Sequence, residues 1–159
     1  LKTDSAKAWS ILYLLVRTSL GLVFLWASWD KILYPDKFAA IIANYDILPA
    51  ATINLAALVL PWIEMICGVL LLVGRLIPGA VLVLNTLLVV FILATSFNLY
   101  RGLDVDCGCF SVAPGTGGKT ILNLVRNGLL LAAGIWLFFY AAGHLRADRS
   151  TDVSTRGAR

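Results

Sequence analysis

"LLLVGRLIPGAVLVLN", residues 70–85, decides the architecture of this chain. Two apolar runs meet at "GRLIP" (74–78), a joint so short that the runs can only return antiparallel, as a hairpin of two helices. Working outward, four apolar segments are long enough to cross a bilayer, which takes roughly 20 residues at about 1.5 Å rise each. They lie near 8–30, 52–74, 78–98 and 121–143. The whole sequence agrees: 60% of its 159 residues are hydrophobic, only 14% are charged, and mean hydropathy is +0.87. A soluble domain is nearer half apolar and a quarter charged. The reading is an all-α chain, a polytopic membrane four-helix bundle of one domain.

Between the first two spans lies "YPDKFAAIIANYDILPAATIN" (34–54), in which Phe38, Ile41, Ile42 and Tyr45 recur at i, i+3, i+4, i+7. That spacing predicts a short interfacial helix, ended by Pro49. The first apolar run is too long for a cleaved signal peptide, is interrupted by Arg17, and has no small-x-small site after it. The expected division is a cytoplasmic N-terminus at 1–7, a transmembrane domain at 8–143 and a polar tail at 144–159. The tail lacks the aromatic residues of a core and reads as disordered.

Lysine and arginine placement predicts orientation. Lys2, Lys7, Arg75, Arg146, Arg149, Arg156 and Arg159 fall on one side of the membrane, and Lys31, Lys37, Arg101 and Lys119 on the other. The excess marks the first side as cytoplasmic, so both termini are expected inside and the loop before the fourth span outside. In a bacterium this means the inner membrane, with the loop in the periplasm, where disulfides are permitted. The net charge of +4 comes from ends and loops; no basic run suits a nucleic acid.

Charges at bilayer depth are costly and mark sites that need explaining. Counted inward from the outer helix ends, Arg17 and Glu64 both lie roughly 12 residues, or about 18 Å, down. Asn85 falls at a similar depth. Depth alone therefore predicts an Arg17–Glu64 pair, structural or part of a proton relay or ligand site. Higher up, Asn123, Arg126 and Asn127 share one face of the fourth span. Arg126 there either snorkels to headgroups or reaches a thiolate in the preceding loop.

That loop, "DVDCGCFSVAP" (104–114), holds Cys107 and Cys109 on either side of Gly108. A disulfide across one glycine is strained, and a strained, exposed bond suits exchange better than stapling. Asp104 and Asp106 oppose a thiolate, leaving Arg126, Arg101 or Lys119 to compensate. Three uses stay open: redox exchange, capture of a thiophilic metal such as Cu(I) or Hg(II), and a static bridge. Two thiolates do not make a zinc site, and the only histidine, His144, is at the other face. Cys67, about 22 Å below the outer end of its helix, reads as a small buried hydrophobe. Gly128, Ala132, Ala133 and Gly134 permit close helix contact, within the bundle or in a homo-oligomer.

Taken together these stretches resemble a known family. "RTSLGLVFLWASWDKILYPDKFAAIIANYDILP" (17–49), through Arg17, Gly21, Phe24, Lys31, Phe38, Leu48 and Pro49, resembles the first-helix signature of the DoxX-like membrane proteins. "PWIEMICGVLLLVG" (61–74) is similar to the family's second helix, with Glu64, Gly68 and Gly74 in place. "DCGCF" (106–110) followed by "LVRNGLLL" (124–131) looks like the MauE, or methylamine-utilisation, branch. The resemblance covers about residues 10–140. It implies a four-helix bundle handling disulfides or electrons outside the membrane, with maturation of the disulfide-rich small subunit of methylamine dehydrogenase as the associated role. Cys107 and Cys109 are the implied active pair, completed by Asp106, Gly108 and Phe110; Ser111 stands where the pattern usually has glycine. The expectation is a thiol-disulfide redox protein acting on a periplasmic thiol or disulfide protein, with no certain cofactor and a quinone near Asn123, Arg126 and Asn127 as a candidate acceptor. Its rivals are a thiophilic metal carrier and a non-catalytic membrane subunit of a quinone-linked DoxX-type complex.

Overall fold

Each long apolar run forms one helix. The computed structural model describes residues 2–102 and 120–157, and the side chains of residues 7–102 and 121–143. The helices are α1 (Lys2–Leu33), α2 (Pro35–Asn44), α3 (Ala50–Val73), α4 (Ile77–Tyr100) and α5 (Thr120–Gly157). Segments long and apolar enough to cross a membrane lie at Lys7–Leu33, Ala50–Val73, Ile77–Tyr100 and Ile121–Gly143. The chain is thus the expected all-α multi-pass bundle, with α2 as its short extra helix. α5 runs on to Gly157 through the stretch whose polarity predicts disorder, and α1 already begins at Lys2. Both extensions follow from helix cooperativity, since propagating a formed helix adds one bond for each residue ordered.

Proline and glycine set the breaks. Pro35 occupies the first turn of α2, where its missing N–H has no helical partner to lose. Phe38 and Ile42 of α2 are buried, and they form a small core with Ala57 of α3. α3 ends at Gly74, whose φ of 81° lies in the left-handed region that glycine tolerates. Its N–H and that of Arg75 both donate to the Leu70 carbonyl, at 2.9 and 3.1 Å, closing the helix. Leu76 is also left-handed, at φ 52°, an unusual state for a bulky residue. Pro78 then opens the first turn of α4, completing the hairpin.

The helices form a closed ring: α1 touches α3, α3 touches α4, α4 touches α5, and α5 returns to α1. The inward faces of α1 and α3 share one spacing. Gly21, Phe24, Ala27, Ser28 and Lys31 are buried on α1, and Pro61, Glu64, Cys67, Gly68 and Leu71 on α3. Leu20, Phe24, Cys67, Leu71, Ala80, Val81, Leu84, Leu88 and Leu137 make the main core. Leucines, valines and tryptophans such as Trp26, Leu55, Leu93 and Leu129 point outward, which suits lipid as solvent.

Gly21 and Gly68 mark where α1 and α3 meet most closely. A side-chain carbon added at either one would lie 3.1 Å from the other's carbonyl oxygen. The two backbones therefore touch, as small residues allow between helices in a membrane. Gly68→Val is expected to force α1 and α3 apart and cost about 1–3 kcal/mol. Thermal unfolding in mild detergent checks this, and an unchanged midpoint would rule out a close crossing.

Candidate functional site

Fixing α1 against α3 at the glycine crossing determines which charged side chains can meet. Lys31 is ten residues beyond Gly21 along α1, and Glu64 four residues before Gly68 along antiparallel α3. At 1.5 Å per residue their backbones differ in height by about 9 Å. Helical side chains lean toward their own helix's N-terminus, so on antiparallel neighbours these two lean toward each other. They close the gap: Lys31 Nζ donates to Glu64 Oε2 at 2.7 Å, with the side chains 1% and 3% exposed.

The expected Arg17–Glu64 pair is not formed, and the same geometry explains why. Arg17 leans away from Glu64, toward the α3–α4 turn, and its Nη1 would lie 2.6 Å from a side-chain carbon placed at Gly74. There the guanidinium stands by the C-terminal end of α3, where the helix dipole favours a cation. Its Nε is buried without a hydrogen-bond partner among the described residues. Cα position along a helix carries no direction of lean, and by that measure alone Lys31 is an outer-side charge. The signal available in the sequence was that Gly21 and Gly68 could form a close crossing.

Lys31 is also enclosed by rings. Its Nζ lies 5.2 Å from the ring centroid of Phe38 on α2 and 5.4 Å from that of Phe91 on α4. Aromatic faces attract a cation and hydrate it hardly at all, so Glu64 carries most of the compensation. Pro61, one turn before Glu64, has no N–H to give the Ala57 carbonyl, and α3 nevertheless continues through it. Glu64 stands 14 residues, about 21 Å, from the start of α3 and nine, about 14 Å, from its end. The ion pair therefore sits at hydrocarbon depth. Cys67, one turn further along α3, is buried in the main core and is a free thiol, as a small hydrophobe would be.

A polar face of α5 reaches the same level. Asn85 on α4 lies against Gly134 on α5, in space that any larger residue at 134 would take. Seven residues along each helix from that contact come Ile92 and Asn127, so Asn127 stands level with Phe91 and hence with Lys31. Asn127 is buried, while Asn123 and Arg126 are half-buried, so the three expected to share a face do so with unequal access. On α4, Asn98 is fully buried, and its amide donates to the Ala94 carbonyl at 3.3 Å. Tyr45, which follows α2, meets Thr95 of α4 at 3.3 Å between hydroxyls. Cys107 and Cys109, with Asp106, Gly108 and Phe110, lie outside the described residues. The helix ends that flank their segment are those of α4, at Tyr100, and of α5, at Thr120.

Breaking a desolvated ion pair from one side leaves a bare charge in a medium that solvates it poorly. Lys31→Met and Glu64→Leu are each expected to destabilise the fold by about 3–5 kcal/mol. Joining Lys31→Met to Glu64→Leu is expected to restore much of that loss, since no charge remains to strand. A double-mutant cycle on unfolding midpoints in detergent measures the coupling, and additive losses would show that the two side chains do not depend on each other.

Comparison with known proteins adds to this geometry. The family described as methylamine utilisation protein MauE matches residues 9–140. The MauE protein of Paracoccus denitrificans is 34% identical over 121 residues, covering 74% of this chain and 65% of its own length. That of Methylophilus methylotrophus is 36% identical over 91 residues, 57% of this chain and 48% of its own. That of Methylorubrum extorquens is 32% identical over 123 residues, with shares of 74% and 64%. The matched region thus spans about half to two thirds of the length of these relatives. No solved structure matches the chain.

Proposed function

Because this chain belongs to the MauE family, we propose that it is an accessory membrane protein of methylamine utilisation that exchanges disulfides through Cys107 and Cys109. One observation carries the reading: the family match runs from residue 9 to residue 140 and so takes in the adjacent thiols of "DCGCF". Both helix ends bordering that segment belong to the bundle end opposite the α3–α4 turn. The excess of lysine and arginine at the turn end supports an outward-facing dithiol, in the periplasm of a bacterium with the chain in its inner membrane. The wider DoxX-like relationship, carried by Arg17, Gly21, Lys31, Glu64 and Gly68, belongs to the same proposal.

The exchange is balanced as follows. A thiolate of a partner protein attacks the Cys107–Cys109 disulfide, forming a mixed disulfide and releasing the other cysteine as a thiolate. A second partner thiolate then attacks the mixed bond, leaving the partner oxidised and Cys107 and Cys109 reduced by two electrons, with two protons gained from the partner's thiols. The reverse sequence reduces a partner's disulfide. The substrate class that the family suggests is an extracytoplasmic protein rich in disulfides, the small subunit of methylamine dehydrogenase above all. Asn123, Arg126 and Asn127 supply amide and guanidinium donors suited to quinone carbonyls, and a quinone would take up the two electrons.

Single Cys107→Ser and Cys109→Ser variants test this in intact membranes. One of them is expected to accumulate a covalent adduct with a partner that reductant releases, and the double variant to form none. In the unaltered chain, mass-tagged maleimide is expected to add two more tags after reduction than after oxidation, Cys67 counting equally in both. Thiols protected only when Cu(I) is present would favour a metal carrier instead. Full methylamine-dependent growth of the double variant would favour a non-catalytic subunit.

A further inference from the structure

A second site lies at the other end of the bundle, where a cleft of about 970 Å³ opens between α1, the α3–α4 turn and α5. Trp9, Ser10 and Tyr13 of α1 line one wall, Gly74 and Leu76 to Gly79 the floor, and Tyr140 and Ala141 of α5 the other wall. The aromatic rings are joined in a ladder. Trp9 stacks on Trp136 at 6.5 Å, Trp136 on Tyr140 at 5.5 Å, and Tyr140 on Tyr13 at 4.9 Å. Tryptophan and tyrosine gather where a membrane's hydrocarbon meets its headgroups, because their rings are apolar and their N–H and O–H are not.

Among the described side chains, the charge around the cleft has one sign. Arg17 lies directly behind two of its lining residues, 6.0 Å from the Tyr13 ring centroid and against Gly74. Arg75 is exposed in the turn, and Lys7 is exposed one turn or less from Trp9. The acids with described side chains are Asp30, Asp36, Asp46 and Glu64. Glu64 is committed to Lys31 and Asp46 lies 3.7 Å from Arg101, while Asp30 and Asp36 flank the end of α1 remote from the cleft. Among the described side chains, then, no acid answers Arg17, and its Nε is buried without a hydrogen-bond partner.

We propose that this cleft binds the headgroup of an anionic phospholipid, its phosphodiester drawn to Arg17 and its glycerol and upper chains held against the aromatic ladder. A carboxylate or phosphate brings the charge that a guanidinium binds best, and a phosphate attached to acyl chains also fills apolar walls. Lys7 and Arg75 favour a headgroup of net negative charge over a zwitterionic one. The ligand is structural or regulatory and takes no part in thiol exchange, so this site stands or falls apart from the dithiol.

Native mass spectrometry of the full chain in mild detergent, titrated with phosphatidylglycerol or phosphatidylcholine, reads occupancy directly. Phosphatidylglycerol is expected to bind about fivefold or more tightly than phosphatidylcholine. Arg17→Gln is expected to remove that preference and Arg17→Lys to keep part of it. Since Arg17 also stabilises the end of α3, a second variant leaves it in place. Gly79 lines the cleft, and a side-chain carbon there meets nothing within 4 Å, so Gly79→Phe is expected to fill the space without disturbing the fold. It should lower phosphatidylglycerol occupancy by a similar factor. Equal binding of the two lipids overturns the proposal, as does undiminished binding in Gly79→Phe. Displacement of the lipid by millimolar inorganic phosphate would point to a free-phosphate site, and a dimer lost in Gly79→Phe to a contact between copies; either result also overturns it.

Discussion

A lysine and a glutamate facing each other at hydrocarbon depth constrain everything around them. Neither can stay charged in lipid without the other, and each is delivered by a different helix. The pair can form only if α1 and α3 lie antiparallel, in one register and nearly in backbone contact. Gly21 and Gly68 provide the contact, and the opposed lean of the two side chains takes up the remaining height. α2 and α4 then enclose the ammonium with Phe38 and Phe91, so α1, α2, α3 and α4 meet around one interaction. Asn127, level with Phe91 by the Asn85–Gly134 contact, extends the polar layer to α5.

The two ends of the bundle differ in chemistry as sharply as this middle layer differs from its lipid-facing surface. One end gathers α2, the start of α3, the end of α4 and the start of α5, and it carries the segment with the adjacent thiols. The other gathers aromatic rings and positive charge around the α3–α4 turn. The redox proposal and the lipid proposal therefore make separate demands on the protein. The ion pair lies between them and ties the helices that serve both.

Much of the fold could be read before any coordinates, because a membrane simplifies the code. A run of apolar residues about 20 long has few fates other than a spanning helix, and a joint as short as "GRLIP" leaves one topology for its neighbours. Glu64 was legible as a buried charge for the same reason. Its partner was not, because position along a helix fixes a Cα and not the tip of a long side chain. Arg17 and Lys31 are both cations on one helix, and only the directions in which they lean separate the one beside the α3–α4 turn from the one paired with Glu64. After Gly143 composition alone carries less, since it describes a polar segment by itself and not the helix that precedes it; α5 runs on to Gly157.

The separation of Lys31 from Glu64 along the chain, 33 residues, also bears on how the protein is made. During synthesis α1 leaves the ribosome with an ammonium group whose counter-charge has yet to be translated. Until α3 follows, that group must keep its hydration, at the insertion machinery or at the membrane surface. The first span can thus settle fully only when the second arrives, and the order of translation makes the entry of one helix wait on the next.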